Sequence, residues 1–109
     1  MRTQITTRHC EISRTVRTQA EEMAIRLEKF DPRITSVDIV FEEQKRVKSV
    51  EATVKADRVD PVHAEATSDD FRVAVDILND RLTRIIRRRR EKATERHGRG
   101  QVEPTPAIE

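Results

Sequence analysis

The hydrophobic pattern of this chain specifies an α+β fold of order β-α-β-β-β-α, with two helices packed on one face of a four-stranded sheet. Three observations specify it. Two segments carry apolar residues at three- and four-residue steps, as amphipathic helices do. Three others alternate apolar with polar residues, as strands covered on one side do. The links between those strands are short and polar, which suits hairpins.

The first element is Arg2 to Arg8, "RTQITTR", whose Thr and Ile residues favour a strand. Ser13 then stands where a helix needs an acceptor for its first free amides. Val16, Ala20, Met23, Leu27 and Phe30 form the buried stripe of that helix. Asp31-Pro32 ends it, because a residue before proline is pushed out of helical geometry. Val37, Ile39 and Phe41 alternate with Asp38 and Glu42, with Val40 out of step. Val50, Ala52, Val54 and Ala56 alternate with Glu51, Thr53 and Lys55, and Val62, Ala64 and Ala66 alternate with His63, Glu65 and Thr67. The intervening "EEQKR" and "DRVDP" read as the hairpin links. Asp69 or Asp70 caps a second helix with the stripe Phe71, Ala74, Val75, Leu78, Leu82, Ile85 and Ile86, expected to fray after Lys92. Residues 1–95 form one domain on this reading, and 96–109, containing Gly98, Gly100, Pro104 and Pro106, read as a disordered tail.

At 109 residues, 35% apolar and 39% charged, the chain affords one domain with a thin core. Trp and Tyr are absent, and the three Phe (Phe30, Phe41, Phe71) fall in periodic segments where core positions are expected. Cys10 stands alone, so no internal disulfide forms, which suits a reducing cytoplasm. No apolar run is long enough to span a bilayer, and the N-terminus lacks the apolar region of a signal peptide, so no membrane association is expected. Both glycines sit in the tail, leaving no glycine loop to bring backbone amides against a nucleotide phosphate. His9, His63 and His97 are scattered without a metal-ligand partner at helical or turn spacing. His9-Cys10 invites a nucleophile reading, but neighbours on an extended segment point opposite ways. Glu42-Glu43 reads as ordinary solvation in a hairpin. No enzyme, metal, cofactor or small-molecule substrate is expected.

The charge is concentrated in one place. "RLTRIIRRRREK", Arg81 to Lys92, holds seven basic residues and one acid, whereas the whole chain nets +2. The other 97 residues hold 15 basic and 19 acidic groups, a net of −4. On a helical wheel Arg81, Arg84, Arg88 and Lys92 fall within about 80° of each other, beside the apolar stripe. Four like charges in one column repel unless an anion meets them. Favourable interaction with the helix dipole accounts for two or three basic residues near a C-terminus, not seven. Charge runs are usually just solvated faces, but an acid-poor arginine cluster suits phosphate through its planar fork of donors. The chain has no helix-turn-helix and no zinc spacing for reading duplex DNA, and only Phe41 on its strands for stacking bases. Backbone and shape recognition of structured RNA remains.

The residues then match a family. "EISRTVR" (Glu11–Arg17), "RLEKF" (Arg26–Phe30), "RI" (Arg33-Ile34) and "DDFRVAVDILNDRLTRIIRRRREK" (Asp69–Lys92) give the chain a resemblance to the short ribosome hibernation promoting factors, the group that includes ribosome-associated inhibitor A. The resemblance covers about residues 2–93. Within the second helix Asp70-Phe71, Ala74-Val75-Asp76 and Asp80-Arg81-Leu82 occupy the places of the family's acid-initiated turn and aromatic, its Ala-Ile-Asp step and its Asp-Lys-Leu. It implies the same β-α-β-β-β-α topology. It also implies a bacterial, cytoplasmic, stress- and stationary-phase factor that binds the small ribosomal subunit near the decoding region and stabilises idle ribosomes. Basic side chains from both helices would pair with ribosomal RNA phosphates. By position, Arg17, Arg26 and Arg33 match basic sites at the first helix and the following strand, and Arg81, Arg84, Arg88, Arg90 and Lys92 match those of the second helix. The chain departs at Met23, Ile85 and Phe71, where the family commonly has lysine, glutamine and tyrosine. It resembles a short form without the C-terminal domain by which long forms dimerise ribosomes, and is expected to be monomeric when free.

Two other readings remain open. A generic double-stranded-RNA module has a similar core, but places a Lys-rich loop where this chain has Ser68-Asp69-Asp70. A protein–protein adaptor would use the outer face of the sheet, decorated by Asp38, Glu42, Glu51, Lys55, His63 and Glu65.

Overall fold

The computed structural model describes the backbone of residues 1–99 and the side chains of residues 1–92. Its elements are β1 (Arg2–Arg8), α1 (Arg14–Phe30), β2 (Ile34–Gln44), β3 (Val47–Ala56), β4 (Val59–Ser68) and α2 (Phe71–Arg99), the expected α+β order. The strands form one mixed sheet in sequence order, β1-β2-β3-β4, with β1 parallel to β2 and the other pairs antiparallel. The parallel pair requires a crossover, which α1 supplies.

The alternation read from the sequence decides which face is covered. Val37, Ile39 and Phe41 of β2, Val50, Ala52 and Val54 of β3, and Val62 and Ala66 of β4 are buried under the helices. Their sequence neighbours Asp38, Glu51, Lys55, His63 and Glu65 belong to the opposite face, because successive side chains of a strand alternate. Val40 breaks the pattern by joining that outer face, half-buried. Phe41 and Phe71 meet edge to face, centroids 5.3 Å apart, and tie β2 to the first turn of α2.

Three expectations need correction. Phe30 is 42% exposed rather than core, because the buried row of α1 continues from Leu27 by four residues to Asp31, which is fully buried. Ile85 is 40% exposed, since the buried row of α2 passes through Leu78, Leu82 and Ile86 and leaves Ile85 on its flank. Finally, where fraying is expected after Lys92, the helical backbone of α2 runs on to Arg99. Of the expected tail, residues 100–109 lie outside the described residues.

The hairpins are tighter than their polar links suggested. Lys45-Arg46 alone joins β2 to β3, and Asp57-Arg58 alone joins β3 to β4. Lys45 and Arg46 both take positive φ (52° and 69°), the backbone sense of a two-residue turn that matches strand twist. Pro61 lies where the β3–β4 register shifts, a position on an edge strand that tolerates the missing donor.

Candidate nucleic-acid interface

Both helices start where the sequence provides a cap. Ser13 Oγ accepts from Val16 N at 3.1 Å, and Asp70 Oδ1 accepts from Arg72 N at 2.8 Å. That second carboxylate stands where a double-stranded-RNA module would present lysines. The helices run parallel, in register along their length. Near their starts Gln19 Nε2 donates to the Arg72 carbonyl (3.0 Å) and to Asp76 Oδ1 (2.9 Å). Eleven residues further along each helix, the Arg87 guanidinium lies 5.9 Å from the centroid of the Phe30 ring. The basic second half of α2 therefore lies beside the C-terminal turn of α1, whose negative dipole end receives its cations.

The seven basic residues of Arg81–Lys92 separate into three rows. Toward the sheet edge, Arg81 donates to the Glu65 carbonyl and Arg89 Nη1 to the Asp60 carbonyl (2.7 Å), both on the edge strand β4. Toward α1, Arg87 covers Phe30, and the half-buried Arg90 adds its charge to the surroundings of Asp31. Outward, Arg84, Arg88 and Lys92 are exposed and form no ion pair among the described residues. Arg84, Arg87 and Arg88 line a shallow open groove with Asn79, Asp80, Thr83 and Glu91.

On α1, Arg17 and Arg26 are exposed and likewise without an ion pair among the described residues. Arg33 is placed differently. Its Nε and Nη2 donate to Asp31 Oδ1 (3.0 Å) and Oδ2 (3.1 Å), and its backbone N–H donates to Oδ1 as well (3.1 Å). This two-pronged pair fixes the corner between α1 and β2. Burial alone would raise the Asp31 carboxyl, but the hydrogen bonds from Arg33 and the charges of Arg33 and Arg90 outweigh it and hold it below the usual range.

The structure thus brings Arg17, Arg26, Arg81, Arg84, Arg88 and Lys92 to solvent, Arg81 also donating to the Glu65 carbonyl, and leaves Arg33 and Arg90 half-buried near Asp31. Sequence reasoning missed Arg87 and Phe30. Their pairing was hidden because Phe30 fits the helical stripe at a three-residue step, and only the packing shows the row turning to Asp31.

The other candidates carry less chemistry. His9 has a φ of 58°, so the segment is not extended there as expected; no hydrogen bond joins it to Cys10. Burial, together with Glu43 and Glu42, pushes the Cys10 thiol up against the opposing effects of an Arg8 backbone bond and Lys48. A thiol shifted that way is a poor nucleophile at neutral pH. On the outer sheet face, His63 Nδ1 meets Thr53 Oγ1 at 3.0 Å and its Nε2 lies 3.6 Å from Glu51 Oε2. Among the described residues there is no group of three or more His, Cys, Asp or Glu able to hold a metal ion, and no helix long and apolar enough to cross a membrane.

Comparison with known proteins gives the chain relatives in both sequence and fold. Residues 3–94 match the family described as "Sigma 54 modulation protein / S30EA ribosomal protein". The chain is 32% identical over 96 residues to a ribosome hibernation promoting factor of Azotobacter vinelandii, covering 88% of this chain and 89% of that protein. It is 30% identical over 92 residues to a protein of the same name from Pseudomonas putida, covering 84% and 89%. Among solved structures it is similar to a ribosomal subunit interface protein from Coxiella burnetii, with a TM-score of 0.76, 28% identity and coverage of 84% and 99%. The N-terminal domain of Thermus thermophilus Protein Y shares the fold, at a TM-score of 0.68, 22% identity and coverage of 78% and 93%.

Proposed function

The chain belongs to the Sigma 54 modulation protein / S30EA ribosomal protein family, and from that membership we propose that it is a ribosome hibernation factor acting in the bacterial cytoplasm. It binds the small subunit in the decoding region, where mRNA and tRNA would sit, and stops translation by occupancy rather than catalysis. The observation that carries this reading is the set Arg84, Arg88 and Lys92 on α2, with Arg26 on the neighbouring parallel helix and Arg17 on the opposite flank of that helix, all exposed and without internal ion pairs among the described residues. Such a surface is electrostatically frustrated when free and relieved by a phosphate backbone. Arginine forks suit the phosphates of structured RNA, and the spread over two helices suits a folded RNA surface better than a single strand. Arg33 braces the corner between α1 and β2 through Asp31, the half-buried Arg90 adds its charge there, and the exposed Arg81 braces α2 against β4 while standing beside Arg84 and Arg88.

The test is sedimentation of the purified chain with ribosomal subunits at low and high salt, beside a cell-free translation assay. Co-pelleting with small subunits at low salt, loss at high salt and inhibition of translation are expected. A chain that stays in the supernatant at low salt with vacant ribosomes in excess refutes the reading.

A further inference from the structure

Phe30 is the last residue of α1, and 42% of its surface is open to solvent although the buried row beside it is complete without it. Its surroundings are cationic. Arg26 lies one turn earlier on the same helix, Lys29 is adjacent in sequence, and both are exposed. Arg87 reaches across from α2 to lie over the ring, 5.9 Å from its centroid. A water-exposed phenyl ring contributes little to folding, and the contact with Arg87 immobilises a side chain that could otherwise move freely in solvent. The product is a flat aromatic surface next to a planar guanidinium, fixed at the junction of two basic helices. Unpaired nucleobases stack on such aromatic and guanidinium planes, and the stacking tolerates any base because every base has a π face.

We propose that the Phe30–Arg87 pair is a stacking platform for one unpaired nucleobase of RNA. The proposal rests on the ribosomal reading for where the RNA comes from, and adds that one contact is made to a base rather than to phosphates. The outward arginines hold the backbone while Phe30 receives a base turned out of a loop or a strand end. A perfect duplex, whose bases are stacked on each other, cannot supply it.

The chain contains no Trp, so Phe30→Trp introduces a single indole at the platform. Single-stranded oligoadenylate is expected to quench that indole, and an RNA duplex bound to the same occupancy is expected to leave it nearly unchanged. Phe30→Leu is expected to weaken sedimentation with small subunits roughly tenfold while leaving the salt dependence of binding intact, because no phosphate contact is lost. Since the ring is partly exposed and outside the buried row, both variants should stay folded with melting only slightly below the parent, which separates lost stacking from lost folding. Equal quenching by duplex and single strand, no quenching at all, or a Leu variant that binds subunits like the parent overturns the proposal. If the parent fails to sediment with subunits while the indole is still quenched by oligoadenylate alone, the platform stands and the ribosomal reading falls.

Discussion

Arg33→Ala separates a structural arginine from an RNA-binding one. The substitution leaves the Asp31 carboxylate, which is fully buried, without its two guanidinium bonds of 3.0 and 3.1 Å. Removing one partner of a buried pair costs about 3–5 kcal/mol, because the other charge is left uncompensated. Here the Arg33 side chain is 33% exposed, so water can reach part of the vacated space, and the Arg90 charge remains nearby. A loss of about 2–3 kcal/mol follows, or a fall in melting temperature of roughly 8–24 °C for a domain of this size. Asp31→Asn is the milder partner experiment, since it keeps an acceptor and leaves Arg33 with solvent access; about 1–2 kcal/mol is expected. The pH dependence has a definite sign. The folded Asp31 carboxyl is depressed, so the stability it contributes is fully present above the ordinary aspartate pKa of about 4 and is lost as pH falls through the folded value. In Arg33→Ala the guanidinium bonds and charge that lower the carboxyl are gone, while the backbone bond from residue 33 and the Arg90 charge remain, so the carboxyl rises relative to the parent and the variant's deficit narrows as pH falls toward 4. Thermal denaturation followed by circular dichroism at pH 7 and pH 4, on the parent and both variants, reads all of this. An Arg33→Ala chain that melts like the parent at both pH values, yet binds ribosomes poorly, would refute the structural assignment and return Arg33 to the RNA interface.

Three further outcomes are accessible. Changing Arg84, Arg88 and Lys92 together to Gln should reduce the log–log salt slope of ribosome binding by about 2–3, at roughly 0.7–0.9 per lost phosphate contact, with melting unchanged or raised; titrated sedimentation checks it. Arg46→Gly should stabilise the chain by about 1 kcal/mol in a urea titration, because Arg46 sits at φ 69° where a β-carbon is strained. Asp70→Ala should cost about 1 kcal/mol by the same titration, since it removes the acceptor for Arg72 N at the start of α2.

The sheet and its covered face were legible because a period of two leaves no ambiguity once one face is apolar, as Val50, Ala52 and Val54 illustrate. Caps were legible for a similar reason: Ser13 and Asp70 offer short acceptors immediately before apolar stripes. The turns were not. Positive φ normally announces itself through Gly or Asn, and here Lys45, Arg46 and Arg58 adopt it with neither. The helix ends were obscured too. A three-residue step to Phe30 and a four-residue step to Asp31 are equally good continuations of a stripe, and nothing in a polar Asp announces burial until Arg33 is seen bonded to it. For the interface, the sequence showed how many cations there are but not their division into rows, because that division depends on which strand and which helix lie on either side of α2.

That division also bears on why the stretch is so rich in arginine rather than lysine. Four of its seven basic residues have contacts within the protein: Arg81 and the half-buried Arg89 donate to carbonyls of the edge strand, Arg87 lies over a ring, and the half-buried Arg90 sits near a buried carboxylate. Arginine serves those roles better than lysine, since its fork directs several donors at once and its plane stacks on aromatic faces. By anchoring α2 to β4, Arg81 and Arg89 shield part of a strand edge that would otherwise present open backbone acceptors to other chains. The same anchoring fixes the rotation of α2 about its axis, and with it the direction in which Arg84, Arg88 and Lys92 point. On the proposed reading this matters for affinity: a cationic row on a free helix would lose affinity to ordering on contact, whereas α2 is already fixed by its buried apolar row and by the contacts of Arg81 and Arg89 with β4.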